Sequence, residues 1–214
     1  MIDDESHYLA FAAAYARGAL GEPMLDDDRA IARAVSAGLK LHRFKRTAQL
    51  PRVRAVLGAL RGFGATRIVD LGSGRGAFVW PLLDALPGVA IVATDVLDHR
   101  ARLYEHVRRG GVERVHGVRA DITALPFANA SADCVTALEV LEHLPDDRPA
   151  AAAREAVRVA RVAVIASVPS HEDDNPEHVQ RFDGARFEAL VRAAGARRVA
   201  IEYVHNHIVA VAVR

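Results

Sequence analysis

Three glycines fall within five positions of VDLGSGRGAF, at Gly72, Gly74 and Gly76, directly after an apolar run. A backbone that bare tolerates positive φ and lets a ligand approach the main chain. A strand, a glycine turn and a helix place backbone N–H groups near the carboxyl end of the strand, where open parallel sheets bind ligands. The spacing also fits G-x-G-x-x-[G/A], with Ala77 last, so the glycines alone leave a pyrophosphate site open. Asp70 ends the strand before the turn, Asp95 ends the next strand, and Asp121 follows the third in RADITALPF. A carboxylate at a strand end can accept hydrogen bonds from both hydroxyls of a ribose. The plain structural roles open to Asp70 and Asp121 are a helix cap and a turn aspartate. A second group follows later strands: Glu139, Glu142 and His143 in EVLEHLP, and His178 in NPEHVQRF. Two carboxylates and two imidazoles can ligate a divalent metal, and any of them can act as a general base.

The elements that must position these residues are legible as a change of period. RIVDL, VAIVATD, RVHGVRAD, ADCVTAL and RVAVIASVP read as strands. GAFVWPLLDAL, LDHRARLYEHVRR, DDRPAAAAREAVRVA and DGARFEALVRAAG read as helices that follow or separate them. Such alternation implies βαβ units and a parallel sheet covered on both faces. RRVAIEYVHNHIVAVAVR reads as a closing hairpin about His205–Asn206, with His205 and His207 expected at the surface. The first 62 residues read as three helical stretches, 7–20, 25–42 and 50–64, that cap one end of the sheet. The expected organisation is one α/β domain: a helical cap over 1–62 and a Rossmann-like three-layer sandwich over 63–214. Its sheet is mostly parallel and seven-stranded, with the antiparallel hairpin at its end.

The chain has 214 residues, enough for one well-cored domain. It contains no run of eighteen apolar residues, and its first residues are acidic where a signal peptide is basic, so a cytoplasmic location is expected. The single cysteine, Cys134, excludes an internal disulfide framework and a cysteine-based zinc site. Charge is segregated: residues 1–28 carry seven acids and one arginine, and residues 29–69 carry ten Lys/Arg and no acid. Lys40, Arg43, Lys45, Arg46, Arg52 and Arg54 suit a phosphorylated or carboxylated acceptor, or an RNA backbone. Phe44 is the only aromatic residue between 29 and 62, and nucleic-acid surfaces interleave stacking aromatics with basic residues, so RNA is the lesser expectation. His171, with Asp173 and Asp174, begins a polar loop that reads as a solvated lid rather than a metal cluster.

In their order and spacing, VDLGSGRGAF, VATDVLD, ADITALPFANASADCVTALEVLEHLPD and NPEHVQRFDGARFEALVRAAGA resemble the class I S-adenosylmethionine-dependent methyltransferases. The resemblance covers residue 67 to the C-terminus and implies a methyltransferase with S-adenosylmethionine as cosubstrate. Carried over by position, it implies main-chain contacts from Gly72, Ser73 and Gly74 to the methionine part. Asp70 would hold the amino group, Asp95 the ribose with Val96 beside the adenine, and Asp121 the adenine amino group with Ile122 against the ring. The main chain near Glu139 would close the site. Glu142, His143 and His178 are the catalytic candidates, for transfer to an oxygen or nitrogen of a small, possibly anionic, molecule. Two alternatives stay open. One is a divalent-metal-dependent RNA 2′-O-methyltransferase with Glu139, Glu142, His143 and His178 as ligands, since the RNA 3′-terminal enzymes carry a Glu-x-x-Glu-His pattern and a later histidine; a metal-free site is favoured over it. The other is a non-catalytic nucleotide-binding module. The acceptor and the oligomeric state are not legible.

Overall fold

The computed structural model describes residues 3, 5–171 and 175–214. Asp173 and Asp174, proposed partners of His171, lie outside the described residues. Seven strands form one sheet: β1 (Arg67–Leu71), β2 (Ala90–Asp95), β3 (Val115–Arg119), β4 (Ala132–Leu138), β5 (Ala160–Pro169), β6 (Arg198–Val204) and β7 (His207–Val213). Their order is β3-β2-β1-β4-β5-β7-β6. The first five run parallel, while β7 pairs antiparallel with both β5 and β6. This is the expected mixed sheet, and the hairpin turns at His205 and Asn206 as read, with His205 at φ 51°.

Side-chain alternation divides the core in two. Ile68, Cys134, Ala163, Ile165 and Val209 face one layer. Val69, Leu71, Val135, Ala137, Val164 and Ile208 face the other. Successive residues of a strand point to opposite faces, so a sheet buried on both sides needs apolar residues at nearly every position. The layer over Ile68 holds α1 (Leu9–Leu20), α3 (Pro51–Gly62), α4 (Val79–Ala85) and α5 (Asp98–Arg109). The opposite layer holds α6 (Arg148–Val159) and α7 (Gly184–Ala193).

The N-terminal helices share the first core rather than forming their own. Tyr15, Phe44, Trp80 and Tyr104 make a chain of tilted ring contacts with centroids 5.0–5.6 Å apart. At this separation aromatic pairs add about 0.5–1.5 kcal/mol beyond the area they bury. The stretch read as one helix over 25–42 is shorter: α2 spans Asp27–Ser36, and a 3-10 turn follows at Leu41–Phe44. Gly38 takes φ 71° just after the end of α2, and a left-handed glycine ends a helix by turning the next amides back onto its last carbonyls. Among the described residues no helix is long and apolar enough to cross a membrane.

Candidate active site

In this strand order the connection from β1 goes one way, to β2, while β4 lies on its other side. A crevice opens there at the carboxyl ends of the strands, and the glycine turn lies in it. Gly72, Gly74 and Gly76 all have positive φ, at 68°, 56° and 88°. A side chain at Gly72 would collide with Val140, and one at Gly76 with the Trp80 ring. The turn is bare partly because protein, and not only a ligand, lies against it.

The carboxylates divide by environment. Asp70 is 3% exposed and lies in register with Thr136 on β4, whose hydroxyl donates to its Oδ1 at 2.6 Å. Burial, reinforced by the nearby Asp95 charge, pushes the Asp70 carboxyl up to about 6 despite that hydrogen bond. Asp70 thus caps no helix; it lines a cavity beside the glycine turn with Gly72, Ser73 and Gly74. Asp95 is equally buried and accepts from the Gly74 N–H at 3.1 Å and the Leu97 N–H at 2.9 Å, with Arg100 at 3.4 Å. It therefore ties the glycine turn to the end of β2. The Ser73 N–H donates to Thr94 O at 2.8 Å. The Ser73 and Gly74 amides are thus engaged within the protein, and their carbonyls accept from the buried Tyr104 hydroxyl at 2.9 and 3.3 Å.

Asp121 has a different setting. Its Oδ1 accepts from the Thr123 N–H and hydroxyl at 2.9 and 2.8 Å, and its Oδ2 pairs with Arg148 at 2.6 Å. The Thr123 backbone hydrogen bond and the Arg148 pair hold this carboxyl below its ordinary value. Asp121 is a turn aspartate in an ion pair and also lines the crevice. The crevice is a cavity of about 470 Å³ whose walls include Asp95, Val96, Asp121, Ile122, Glu139 and His143. A second cavity, of about 190 Å³, runs from Asp70 and Gly72 past Arg52 and Arg75 to Glu139.

The second constellation forms in part. Glu142, His143 and His178 converge, each offering a ligand atom within 4.8 Å of the others. Glu142 is 1% exposed. The imidazole rings of His143 and His178 lie edge to face at 4.8 Å. His143 Nδ1 sits 2.9 Å from the carbonyl of Glu177. A carbonyl only accepts, so the proton is on Nδ1 and the Nε2 lone pair of the neutral ring is left for a proton or a metal. Glu139 stands apart. It takes φ 55°, and its carboxylate accepts from Ser167 Oγ at 2.7 Å and pairs with His207 Nε2 at 3.1 Å. Burial works to raise the Glu139 carboxyl, but the hydrogen bonds from His207 and Ser167 outweigh it and hold it below the usual range. A third cavity, of about 370 Å³, is lined by Glu142, Pro169, His171, His178 and Phe182.

Sequence reasoning missed the roles of His207 and Ser167, and did not link Arg52 to them. His207, expected at the surface, opens β7 opposite Pro169 and faces Glu139, and Arg52 Nη1 lies 3.4 Å from its Nε2. Ser167 comes from β5, which pairs with β4 at Leu138, and His207 from β7, the next strand, so the strand order brings both to Glu139 and nothing local marks it. His205 is exposed as expected.

A sheet of this order, a glycine turn after β1 and buried acids at the ends of β1 and β2 define a Rossmann-like fold. Residues 68–162 match the family described as Methyltransferase domain. The structure is similar to an O-methyltransferase family protein from Burkholderia thailandensis, with TM-score 0.62 and 19% identity over 78% of this chain. It is also similar to a SAM-dependent methyltransferase from Aquifex aeolicus, with TM-score 0.63 and 19% identity over 78% of this chain and 91% of that one. The methyltransferase domain of bacterial CtHen1 matches with TM-score 0.62 and 21% identity over 77% of this chain and 98% of that one. The chain spans 56% of the length of the Burkholderia protein. No curated protein matches the sequence. Residues 68–162 thus match a methyltransferase-domain family, and the chain shares the fold of these solved methyltransferase structures.

Proposed function

We propose that the protein transfers the methyl group of S-adenosylmethionine to an oxygen or nitrogen of a small-molecule acceptor. The observation that carries this is the convergence of buried Asp70 and Asp95 on the glycine turn, with the Gly74 N–H bonded to Asp95. In this reading Asp70 receives the ammonium of the methionine moiety, since a buried carboxylate lowers its desolvation cost by meeting a cation. Asp95 accepts the ribose hydroxyls through lone pairs left over from its amide contacts. Val96 and Ile122 flank the adenine. Asp121 shares its Oδ2 between Arg148 and the adenine amino group. The cosubstrate supplies an electrophilic methyl on sulfur, and the protein's work is alignment of the acceptor, worth several kcal/mol by proximity. His143, with its Nε2 lone pair set by the Glu177 carbonyl, removes the acceptor proton; His178 and Glu142 pack around it. Calorimetric titration with S-adenosylmethionine and S-adenosylhomocysteine tests this reading. It predicts one site per chain, and absence of heat and of thermal stabilisation with both would refute it.

A second reading is favoured by one observation, the three ligand atoms of Glu142, His143 and His178 within 4.8 Å. A buried carboxylate and two imidazoles fit a divalent ion such as Mn²⁺ or Co²⁺. Glu139, the fourth ligand of the metal alternative, is committed to Ser167 and His207, so this set has three protein ligands. Stoichiometric Mn²⁺ binding that His178→Ala abolishes supports a metal site; full methyl transfer in a chelator excludes metal dependence.

A further inference from the structure

We propose that the acceptor carries a phosphate group and enters over a basic mouth formed by segment 40–47, Arg75 and the start of α3, where Arg52 and Arg75 hold it. This rests on the methyl-donor reading above and assigns the acceptor class. The acid-free segment is fastened directly against the glycine turn. The indole Nε1 of fully buried Trp80 approaches two carbonyls, Arg43 O at 3.0 Å and Arg75 O at 2.9 Å. The Thr47 hydroxyl donates to Ala77 O at 2.6 Å. These contacts bring the backbone at Arg43 and at Arg75 to one indole N–H, although 32 positions separate them. Arg52 and Arg75 both line the 190 Å³ cavity that starts at Asp70 and Gly72. That cavity reaches Glu139 and, in the donor reading, adjoins the methionine end of the cleft through Asp70 and Gly72.

Other cations of the segment are compensated: Arg29 by Asp26, Arg33 by Glu22, Arg46 by Asp84 and Arg67 by Asp133. Among the described residues, Lys40, Arg43, Lys45, Arg52, Arg54, Arg61 and Arg75 are in no ion pair with a carboxylate. Of these, Arg52 and Arg75 line the cavity, together with Asp70 and Glu139. Two guanidinium groups at one cavity favour a group of more than one negative charge, and guanidinium forks match phosphate oxygens two at a time. Phe44 decides between a small molecule and a nucleic acid. It is fully buried between Tyr15 and Trp80 and offers no face for a base to stack on.

The test uses the full chain saturated with S-adenosylhomocysteine, so that the donor's own carboxylate site is filled. Inorganic phosphate is titrated against acetate at equal ionic strength, read as thermal stabilisation. Phosphate should stabilise and acetate should not. Arg52→Gln and Arg75→Gln should each weaken the phosphate response about tenfold or more, the worth of one charge-assisted contact. Arg61→Gln, which removes the same charge from the far, exposed end of α3, should leave it intact. Equal responses to phosphate and acetate, or a phosphate response that survives both Arg52→Gln and Arg75→Gln, would overturn the inference. Stoichiometric binding of a mixed-sequence RNA dodecamer at near-physiological salt would overturn the small-molecule assignment. S-adenosylhomocysteine binding is measured on the same samples: if it binds and phosphate does not, only this inference fails, whereas its failure to bind refutes the donor reading.

Discussion

Replacing Asp70 by Asn is expected to make the protein more stable at pH 8 while weakening its hold on S-adenosylmethionine. Asp70 is 3% exposed, and its carboxyl is pushed from 3.8 to about 6, chiefly by burial. A group whose folded value exceeds its unfolded one keeps its proton in the native state over the interval between them. The unfolded chain then binds fewer protons, so stability falls as pH rises from about 4 to about 6, and the full cost is present above 6. A shift of this size corresponds to about 3 kcal/mol. Asparagine has the same shape, is never ionised, and presents its amide oxygen to the Thr136 hydroxyl now 2.6 Å from Asp70. The substitution should therefore recover up to about 3 kcal/mol at pH 8, about 6–12 °C in Tm for a domain of this size. At pH 4 it should recover nothing. Thermal melts of both proteins at pH 4, 6 and 8 measure the difference. Affinity should move the other way, because a neutral amide cannot neutralise an ammonium, and wild-type affinity itself should fall below about pH 6. A difference in Tm that is constant with pH, or an Asp70→Asn variant destabilised throughout, would mean that Asp70 is held as a satisfied structural carboxylate and would refute the reasoning.

Asp95→Ala removes the proposed ribose contact and also strands the Gly74 and Leu97 amides; S-adenosylhomocysteine affinity should drop by about ten- to a hundredfold in calorimetry. His143→Ala should lower kcat by about a hundredfold or more with near-unchanged donor affinity, as loss of a general base does, and single-turnover methylation assays with the acceptor would show it. Gly76→Ala places a methyl at φ 88° against the Trp80 ring; strain and overpacking should cost about 2–4 kcal/mol in urea unfolding. An unchanged midpoint would mean that the turn is free to move.

The fold was largely readable because its determinants are local. Apolar runs such as RIVDL and RVAVIASVP must be buried on both faces, and the helices between them fix parallel neighbours. The boundary that failed, α2 read through to His42, failed at Gly38. Apolar spacing continues past that residue, but its left-handed backbone does not. Asp70, Asp95 and the glycines could be placed for the same reason: they lie at the ends of β1 and β2, and a strand end is a local property. Asp121 was located correctly, but its partner Arg148 comes from 27 positions away and could not be anticipated.

The sequence by itself determined the alternation of strands and helices, the bare turn after β1, the acids beside it and the one-sign segment at 29–69. Only the tertiary structure decided which later residues meet. Strand order brought His207 and Ser167 to Glu139 and so separated Glu139 from Glu142, His143 and His178. The Trp80 indole N–H and the Thr47 hydroxyl fastened the basic segment to the glycine turn. The physical reason is that backbone preference and burial act over a few residues. The partner of a charged side chain is set by which strands pair and which helices pack, and that is a property of the whole chain.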